Sequence, residues 1–413
     1  MLIFAVAVVA GGASAAVRKA RIPDRAAARL SVSPASPVAG KAAVATLASS
    51  STGRHVLTIV RGTSRRSKVM SRIGGNRLRT TIVFTTAGRW TGRVTVGKRE
   101  IARRAVVVRA APRGGEAGQT RFQEWRVTPA SHPHDVAPAP DGTVWYTEQL
   151  AGYLGRLDPA TGAVRRIALG AASAPHGVVV GPDGAAWVTD QGLNAIIRVD
   201  GQTEQVRTFP MPAGTGVTNP NTGCSDDRGR HWFTGAAGFY GVVDAGAGTV
   251  RVWPAPRGAG PYGIACAPSG VYYVSLQASY LGRVDPATGA VTVLEPPTPR
   301  QGARRVWADS RGRLWLTEWN AGQVGMYDPA TGAWREWHLP GASQPYAVYV
   351  DDHDIVWISD FGLDGLVRFD PSTERFEVFR WPTRGALVRQ LLGRPGEIWG
   401  AESARDKIVV FRS

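Results

Sequence analysis

A repeat of about 42 residues, which begins near residue 121 and continues to the end of the chain, is the feature that most constrains the fold. Each repeat carries an aromatic residue in its second predicted strand, at successive spacings of 42, 45, 41, 42, 42 and 42 residues. The seven landmarks are Trp145, Trp187, Trp232, Tyr273, Trp315, Trp357 and Trp399. PDG-type turns precede the landmark and DPATG-type turns follow it, so four short strands fit in each repeat. This pattern predicts an all-β fold with a seven-bladed β-propeller over residues 121–413.

The predicted strands of the first repeat are residues 135–139, 143–148, 153–157 and 163–168. Repeats end in segments such as WREWHLP at residues 334–340, whereas the last repeat stops at VVFRS. A matching segment, FQEWRVTP at residues 122–129, precedes the first repeat. We therefore expect this N-terminal strand to complete the last blade and to close the ring without exposed strand edges.

The first part of the chain, residues 1–16, predicts export. The run LIFAVAVVAGG is apolar and uncharged, and it ends at Ala13, Ser14 and Ala15, as in a signal peptide with its cleavage site. The run is shorter than the roughly 20 apolar residues that a membrane-spanning helix needs. No lysine or arginine precedes it, so the signal is atypical or the true start lies upstream. We expect a protein that is secreted or that resides in the periplasm or cell envelope.

Residues 17–110 predict a separate basic domain. Segments such as HVLTIVRG (55–62), LRTTIVFTTAG (78–88) and RWTGRVTVG (89–97) alternate apolar and polar residues and are rich in β-branched side chains. This period-2 pattern favours a small antiparallel β-sandwich of immunoglobulin-like type. The Gly-rich segment at residues 111–120 reads as a linker between this domain and the propeller.

The positive charge of the chain is concentrated in the N-terminal segment. The formal net charge is +17, and residues 17–117 hold 22 lysines and arginines against three acidic residues, which leaves 27 basic and 29 acidic residues elsewhere. One interpretation is a solvated basic face that keeps the domain soluble, and the other is attraction to anionic polymers or lipid headgroups of the cell envelope. We expect no nucleic-acid partner, because no nucleic-acid motif occurs, and we expect a monomer.

Two cysteines, Cys224 and Cys266, are too few for a fold that depends on disulfides. They fall in the innermost strands of consecutive repeats, at offsets from the landmark that differ by one residue. Because successive strand residues point to opposite faces of a sheet, we favour two buried thiols, with a disulfide between them as the alternative.

Two positions of the repeat carry polar residues, and equivalent positions of a propeller form rings around its axis. The first lies eleven residues before the landmark and holds His134, His176, Asn221, Tyr262, Arg304, Tyr346 and Val388. The second lies three residues after the landmark and holds Glu148, Asp190, Gly235, Leu276, Glu318, Asp360 and Glu402. Imidazoles, phenols and carboxylates at one end of a channel suit metal binding or proton transfer. The alternative is that they satisfy strand-end backbone groups and line a wet channel.

The first two repeats combine imidazoles with carboxylates. His132, His134 and Glu148 can approach one metal ion if His132 turns inward, and His176 with Asp190 is the equivalent pair of the next blade. We therefore predict that Glu148, Asp190 and His132 ligate a divalent metal such as magnesium. The predicted catalytic residues are His134, His176 and Tyr346, and the predicted ligand-binding residues are Asn221, Tyr262, Arg304, Glu318, Asp360 and Glu402.

The repeat resembles that of the virginiamycin B lyase (streptogramin lyase) family. The resemblance rests on segments such as PHGVVVGPDGAAWVTDQGLNAIIRVD (175–200) and GRLWLTEWNAGQVGMYDPATG (312–332), and it covers the propeller but not the N-terminal domain. It implies a carbon-oxygen lyase that opens a cyclic depsipeptide at its ester by elimination, with magnesium as Lewis acid and a histidine as base. In the family, a Glu-Pro-His sequence and a second Glu of the last repeat supply most of this chemistry.

The sequence departs from the family at these positions. The last repeat has Ala386, Leu387 and Val388 where Glu-Pro-His is expected, and Glu402 is the carboxylate that remains near the second position. The family's histidine of the sixth repeat is Tyr346 here, and its tyrosine of the first repeat is His134. The remaining possibility is that the imidazoles and carboxylates of the first two blades supply the metal ligands and the base, on the opposite side of the ring from the family's site.

Three functions follow as hypotheses. The first is a lyase-like enzyme that opens a cyclic ester or lactone at the channel mouth. The second is a non-catalytic extracellular module, in which the sandwich binds an envelope polymer and the propeller holds a small-molecule or polymer ligand. The third, metal-dependent lactone hydrolysis, rests on analogy with gluconolactonase-type propellers, and a shared fold alone does not establish a shared function.

Overall fold

The computed structural model describes residues 28–33, 42–61, 64–83, 88–108 and 121–413. The predicted signal peptide and the predicted linker lie outside these residues. The chain divides into two compact units, Met1–Gln119 and Thr120–Ser413. The regular elements of the described residues are β-strands, which confirms the all-β prediction. Within the same residues no helix has the length and apolar character needed to cross a membrane.

The N-terminal unit contains two four-stranded antiparallel sheets. Its strands are β1 (Arg29–Ser33), β2 (Ala42–Ala48), β3 (His55–Arg61), β4 (Ser64–Val69), β5 (Ser71–Gly74), β6 (Arg77–Val83), β7 (Gly88–Val96) and β8 (Arg99–Val108). The strand orders are β1-β2-β6-β5 and β4-β3-β7-β8. Alternate residues of both sheets, including Leu47, Leu57, Leu78 and Trp90, form one buried apolar cluster. The period-2 pattern of the sequence thus produces one core that both sheets share.

The C-terminal unit contains seven four-stranded antiparallel sheets, built from the remaining 28 strands. The first strands are β9 (Phe122–Arg126), β10 (Pro133–Pro138), β11 (Val144–Glu148), β12 (Tyr153–Leu157), β13 (Val164–Ala168), β14 (Pro175–Val180), β15 (Ala186–Asp190), β16 (Ala195–Val199) and β17 (Val206–Pro210). The next are β18 (Pro220–Ser225), β19 (His231–Gly235), β20 (Phe239–Asp244), β21 (Thr249–Pro254), β22 (Pro261–Ala267), β23 (Gly270–Ser275), β24 (Tyr280–Val284) and β25 (Val291–Leu294). The last are β26 (Ala303–Ala308), β27 (Leu314–Glu318), β28 (Gln323–Asp328), β29 (Ala333–His338), β30 (Pro345–Val350), β31 (Val356–Asp360), β32 (Gly365–Asp370), β33 (Arg375–Arg380), β34 (Val388–Arg394), β35 (Glu397–Glu402) and β36 (Lys407–Arg412).

Each sheet takes its strands in chain order from the axis outwards, beginning with β10-β11-β12-β13. The innermost strands β10, β14, β18, β22, β26, β30 and β34 contact one another in sequence, and β34 contacts β10. The last sheet has the order β34-β35-β36-β9, so the strand that precedes the first repeat forms its outer edge. Phe122 and Phe411 are cross-strand partners in this sheet, and their rings lie 5.0 Å apart, edge to face. This architecture is that of a β-propeller.

The landmark aromatic residues are the buried anchors of these sheets, and each is at most 3% exposed. In three sheets an aspartate six residues earlier accepts the hydrogen bond of the indole N–H: Asp226 for Trp232, Asp309 for Trp315 and Asp351 for Trp357. The same three aspartates also accept backbone N–H groups of their own turns. In these three sheets one carboxylate therefore holds the turn and the tryptophan together.

Cys224 and Cys266 form a disulfide, with their Cα atoms 5.7 Å apart. The expectation of two thiols is wrong, and the one-residue offset explains why. Cys224 lies in β18 and Cys266 in β22, on sheets that pack against each other. Two residues that face each other across stacked sheets must point from opposite faces of their own sheets. The offset therefore brings the sulfur atoms together instead of separating them.

Candidate functional site

The innermost strand of every sheet in the C-terminal unit carries a one-residue bulge. In six sheets it includes the first ring position, and in the last sheet it follows Val388, at Arg389 and Gln390. In β10, Pro133 pairs with Glu148 and Val136 pairs with Tyr146, so His134 and Asp135 together oppose one residue of β11. A bulge releases its residues from strict alternation and redirects their side chains. Two successive residues of one strand can therefore both face the axis.

A hydroxyl group holds most of these bulges in place and links neighbouring sheets. Thr317 of β27 accepts a hydrogen bond from the backbone N–H of Arg305 (3.1 Å) and donates one to the carbonyl of Tyr346 in the next sheet (2.8 Å). Thr147 does the same for Asp135 and His176, at 3.0 and 2.9 Å. The equivalent hydroxyls that accept from their own innermost strand are Thr189, Thr234 and Ser359. The bulged backbone is thus satisfied by side chains, although it makes no ladder bonds.

The two predicted catalytic histidines lie together at the mouth of the channel. The ring centroids of His134 and His176 are 3.8 Å apart, and both residues are buried. His134 Nδ1 lies 2.7 Å from Asp135 Oδ1, and His176 Nδ1 lies 2.9 Å from the carbonyl oxygen of Asn221. Burial, reinforced for His134 by nearby arginines, holds the pKa of both imidazoles well below the usual range. Both rings are therefore neutral at pH 7.

Arg305 crosses the channel and connects three sheets. Its guanidinium lies 3.2 Å from Asp135 Oδ1, across the ring, and donates to Thr222 Oγ1. The side chains of Arg305 and Asp135 are 3% and 1% exposed. Burial raises the pKa of Asp135, and the Arg305 charge opposes this effect. Arg305 and Asp135 therefore form a buried ion pair beneath the mouth. Thr222 and Arg305 also line an axial cavity beside Gln390.

The opposite side of the mouth is cationic and aromatic. The hydroxyls of Tyr262 and Tyr346 lie 2.7 Å apart. The Arg304 guanidinium carbon lies 3.8 Å from the Tyr346 ring centroid, 4.9 Å from that of Tyr262 and 4.6 Å from that of Trp319. Phe361 stacks on Tyr346, with centroids 4.8 Å apart. Arg304 is thus enclosed by aromatic rings, an arrangement that stabilises a guanidinium.

The charges at the mouth act on its two phenols in opposite directions. Burial raises the pKa of Tyr262 to about 12, and the neighbouring Tyr346 adds to this effect. Burial also acts to raise the pKa of Tyr346, but the charges of Arg304 and Arg305 outweigh it and place the pKa below its usual range. Tyr346 is therefore the phenol that ionises more easily. The rings of His176 and Tyr262 lie 6.5 Å apart, so His134, His176, Tyr262 and Tyr346 form one continuous series.

The carboxylates of the second ring face away from this cluster. Glu148 accepts hydrogen bonds from Thr128 and Tyr146, both at 3.0 Å, and pairs with Arg166 of the outer strand β13 at 2.7 Å. Asp190 accepts the backbone N–H groups of Ala174 and Leu193 and the hydroxyl of Ser173. Their positions on second strands point the side chains into the faces between sheets rather than toward the axis.

The carboxyl groups of the predicted ligand-binding residues Glu318, Glu402 and Asp360 also face away from the cluster at the mouth. Glu318 extends over Gly325 of β28, where a Cβ atom would lie 2.5 Å from Glu318 Oε1. Burial and the nearby Glu336 raise the pKa of Glu318 to about 9. Burial and the nearby Glu124 likewise raise the pKa of Glu402 to about 8. Asp360 accepts the N–H groups of Gln344 and Leu363, at 3.1 and 2.8 Å, and shapes its loop. Asn221, Tyr262 and Arg304 are thus the predicted ligand-binding residues that lie at the mouth.

The predicted metal site of Glu148, Asp190 and His132 is not assembled, and this prediction is corrected. His132 is exposed on a loop, with a φ of 50°, and its N–H donates to Asp406. Within the described ranges, the group of three or more His, Cys, Asp or Glu side chains close enough to share a metal is Asp351, Asp352 and His353. That group lies on the turn between β30 and β31, where Asp351 already accepts two backbone N–H groups and the Trp357 indole N–H.

The positions where the family resemblance places its metal and base also do not fit a metal. Ala386 and Val388 are buried apolar residues of the cluster that includes Leu391. Glu402 lies beside Glu124, and burial raises its pKa to about 8. Apolar side chains therefore stand beside the one remaining carboxyl, whereas magnesium prefers several oxygen ligands. No step is therefore assigned to a metal at this end of the channel.

Four residues that directly follow a first-ring position were not predicted from the sequence: Asp135, Thr222, Arg305 and Arg389. Two aromatic residues that directly follow a second-ring position were not predicted either, namely Trp319 and Phe361. A signal was present: the pairs His-Asp, Asn-Thr and Arg-Arg place two polar residues in succession where a regular buried strand alternates. In sheet two the second bulge residue is Gly177, where a Cβ would lie 2.6 Å from the Asn221 carbonyl oxygen. A glycine in a strand often marks such a bulge or a close backbone approach.

Comparison with known proteins places this geometry in a family. The profile of the Virginiamycin B lyase family matches residues 108–409. Selenomethionine-substituted virginiamycin B lyase from Staphylococcus aureus is 20% identical, with a TM-score of 0.66 over 71% of this chain and 99% of that chain. A streptogramin B lyase structure is 22% identical, with a TM-score of 0.63 over 70% and 96% of the two chains.

A catalytically inactive form of the S. aureus enzyme with quinupristin is similar to the same degree, with 20% identity, a TM-score of 0.66 and coverage of 71% and 99%. None of the curated protein sequences matches this chain. These identities establish a shared fold, and the family profile spans most of the chain. The chain therefore belongs to the virginiamycin B lyase family.

Proposed function

We propose that this protein is an exported ligand-binding member of the family rather than a metal-dependent lyase. The observation that carries the proposal is the channel mouth: arginines, phenols and neutral imidazoles meet there, whereas Ala386, Leu387 and Val388 stand where the family's Glu-Pro-His is expected. Elimination assisted by a Lewis acid needs carboxylates that hold the metal. The carboxylates of the second ring are turned away, and the buried Ala386 and Val388 offer no ligand atoms beside Glu402.

The test is incubation of the full chain with a type B streptogramin, with and without magnesium, followed by mass spectrometry. We expect the cyclic depsipeptide to remain intact. A linear product of unchanged mass would establish lyase activity and refute the proposal, and a product heavier by one water would establish hydrolysis instead. Saturable binding of a ligand at the mouth without turnover is the expected positive result.

We further propose the architecture of a seven-bladed propeller preceded by an immunoglobulin-like sandwich, in a monomeric protein exported by its N-terminal segment. The continuous contacts from β10 round to β34 support seven blades. The two sheets that share one core support the sandwich. The Cys224–Cys266 disulfide is typical of an oxidising compartment. Cell fractionation and light scattering of the purified protein test location and oligomeric state.

The N-terminal unit is proposed to bind an anionic polymer of the cell envelope. Its described residues include fifteen lysines and arginines and one acidic residue, Glu100. The edge strand β4 has the sequence SRRSKV, and all six residues are exposed. Such a surface attracts polyanions through contacts that salt weakens.

Co-sedimentation of the full chain with an anionic wall polymer, across a salt series, tests this partner. We expect binding that weakens steadily with salt, and a larger loss for Arg65→Gln combined with Arg66→Gln than for Arg375→Gln on the exposed outer strand β33. Equal losses in the two variants would exclude β4 as the binding surface. Binding to anionic vesicles instead of the polymer would redirect the proposal to lipid.

A further inference from the structure

We infer that the channel mouth binds a small organic carboxylate that carries an aromatic ring, with Arg304 and Arg389 holding the carboxylate and Trp319 and Phe361 holding the ring. This inference rests on the proposed ligand-binding function and names the class of ligand.

The side chains at the mouth carry more positive than negative charge. Arg304, Arg305 and Arg389 converge at the mouth, and Asp135 is the acidic side chain that faces them, at 3.2 Å from Arg305. The neighbouring imidazoles of His134 and His176 add no charge of either sign at neutral pH. One carboxylate therefore balances one of three guanidinium groups, and the mouth carries an excess positive charge that an anion can neutralise.

The arginines at the mouth have hydrogen-bond donors that no group of the described residues accepts. The Nε atoms of Arg304, Arg305 and Arg389 are buried, and none has a hydrogen-bond partner among the described residues. The other two guanidinium nitrogens of Arg305 donate hydrogen bonds to Asp135 and Thr222. Arg389 makes no hydrogen bond or ion pair within the part of the chain that the structure describes, and its guanidinium carbon lies 6.0 Å from the rings of Tyr346 and Phe361. Buried donors without partners are costly, and a planar guanidinium fork matches a carboxylate.

An aromatic surface lies beside these donors. Trp319 and Phe361 are half-buried at the mouth, and their ring centroids lie 5.5 Å apart, edge to face. Trp319 also contacts Arg304, at 4.6 Å from the ring centroid to the guanidinium carbon. Partly exposed aromatic rings next to unpaired donors offer stacking and polar recognition in one place, which is typical of small-ligand sites. An aromatic carboxylate uses both features, whereas inorganic phosphate or acetate uses one.

The experiment titrates the full chain with four probes, namely phenylacetate, phenylacetamide, acetate and inorganic phosphate, and follows heat and the fluorescence of tryptophan. We expect phenylacetate to bind tightest, with phenylacetamide and acetate each weaker by at least about tenfold, because each lacks one of the two contacts. Arg389→Gln and Arg304→Gln should each weaken phenylacetate by about tenfold or more, and Phe361→Ala should weaken phenylacetate but not acetate. Arg375→Gln, at an exposed arginine of β33, is the matched control and should bind like wild type.

Other outcomes overturn the inference in distinguishable ways. Equal binding of phenylacetamide and phenylacetate, or tightest binding of phosphate, would refute the carboxylate assignment while leaving a ligand site at the mouth. Binding that survives both arginine variants would place the site elsewhere. Absence of binding by all four probes refutes the inference, and the proposed function fails separately if the streptogramin is opened. If an arginine variant loses its near-ultraviolet circular dichroism signal, it is misfolded and its binding data are set aside. The inference then stands or fails on whether Phe361→Ala weakens the binding of phenylacetate but not of acetate.

Discussion

Glu318→Gln should stabilise the protein at neutral pH. The carboxyl of Glu318 is 0% exposed, and burial together with the Glu336 carboxyl raises its pKa from 4.5 to about 9. The unfolded chain releases this proton near pH 4.5, whereas the folded protein retains it until about pH 9. The folded state therefore binds more protons across this window, and its stability falls as the pH rises.

The magnitude follows from the width of the window. A difference of one pH unit corresponds to about 1.4 kcal/mol, so between pH 4.5 and pH 7 the wild type loses about 3 kcal/mol through this one group. Glutamine has nearly the shape of a protonated glutamate and does not titrate. The variant should match the wild type near pH 4.5 and exceed its unfolding free energy by about 3 kcal/mol at pH 7.

The assay is urea denaturation of both proteins at half-unit steps from pH 5 to pH 8, with the difference in unfolding free energy taken at each pH. Titrating groups other than Glu336, which interacts with Glu318, contribute equally to both proteins and cancel in this difference. Glu377→Gln, at an exposed carboxylate of β33, controls for the loss of one glutamate side chain. A wild type and variant that differ by the same amount at pH 5 and pH 8 would refute the reasoning.

Three further predictions concern stability. Replacing Cys224 and Cys266 by alanine should lower the unfolding free energy by about 4 kcal/mol, because the disulfide closes a loop of 42 residues. Urea denaturation with and without reductant measures this loss, and equal denaturation midpoints would contradict the prediction. Thr317→Val removes the hydroxyl that bridges the fifth and sixth sheets and should cost about 3 kcal/mol, so an unchanged thermal midpoint would argue against a structural role for the bridge. Because the imidazoles of His134 and His176 stay neutral in the folded state, the stability that they contribute should be complete above pH 6.5 and fall below it, against the opposite slope that Glu318 imposes. In thermal scans His176→Gln should lose less stability than the wild type between pH 6.5 and pH 5, and an identical profile would contradict the assignment.

The sheets of the C-terminal unit could be predicted closely because their determinants are local. The predicted strands of the first repeat, 135–139, 143–148, 153–157 and 163–168, agree with β10 to β13 to within two residues. In three of the sheets one aspartate holds both the turn and the landmark tryptophan. The prediction that the strand before the first repeat completes the last sheet agrees with the pairing of β36 and β9.

The functional site was predictable in part, for a physical reason that separates the two rings. First-ring residues such as His134, His176 and Arg304 meet because they lie on the bulged innermost strands. Second-ring residues such as Glu148 and Glu318 do not, because side chains of a second strand project into the space between sheets. Equivalent positions of the repeat are therefore not equally close to the axis, because the strand that carries a residue and the face that its side chain takes decide where it points.

The bulges also separate the chemistry of the mouth from the stability of the ring. Residues within them contribute no ladder hydrogen bonds, and the threonine hydroxyls that secure them contact only backbone atoms, whatever side chain the bulge carries. Gly177 and Gly263 are fixed, because a Cβ atom at either position would lie 2.6 Å from a backbone atom of the neighbouring sheet. A new side chain at a bulge position that already carries one, such as Asn221 or Tyr262, alters what the opening recognises. The propeller can therefore serve as a frame in which the other bulge residues are exchanged to obtain receptors for other small molecules.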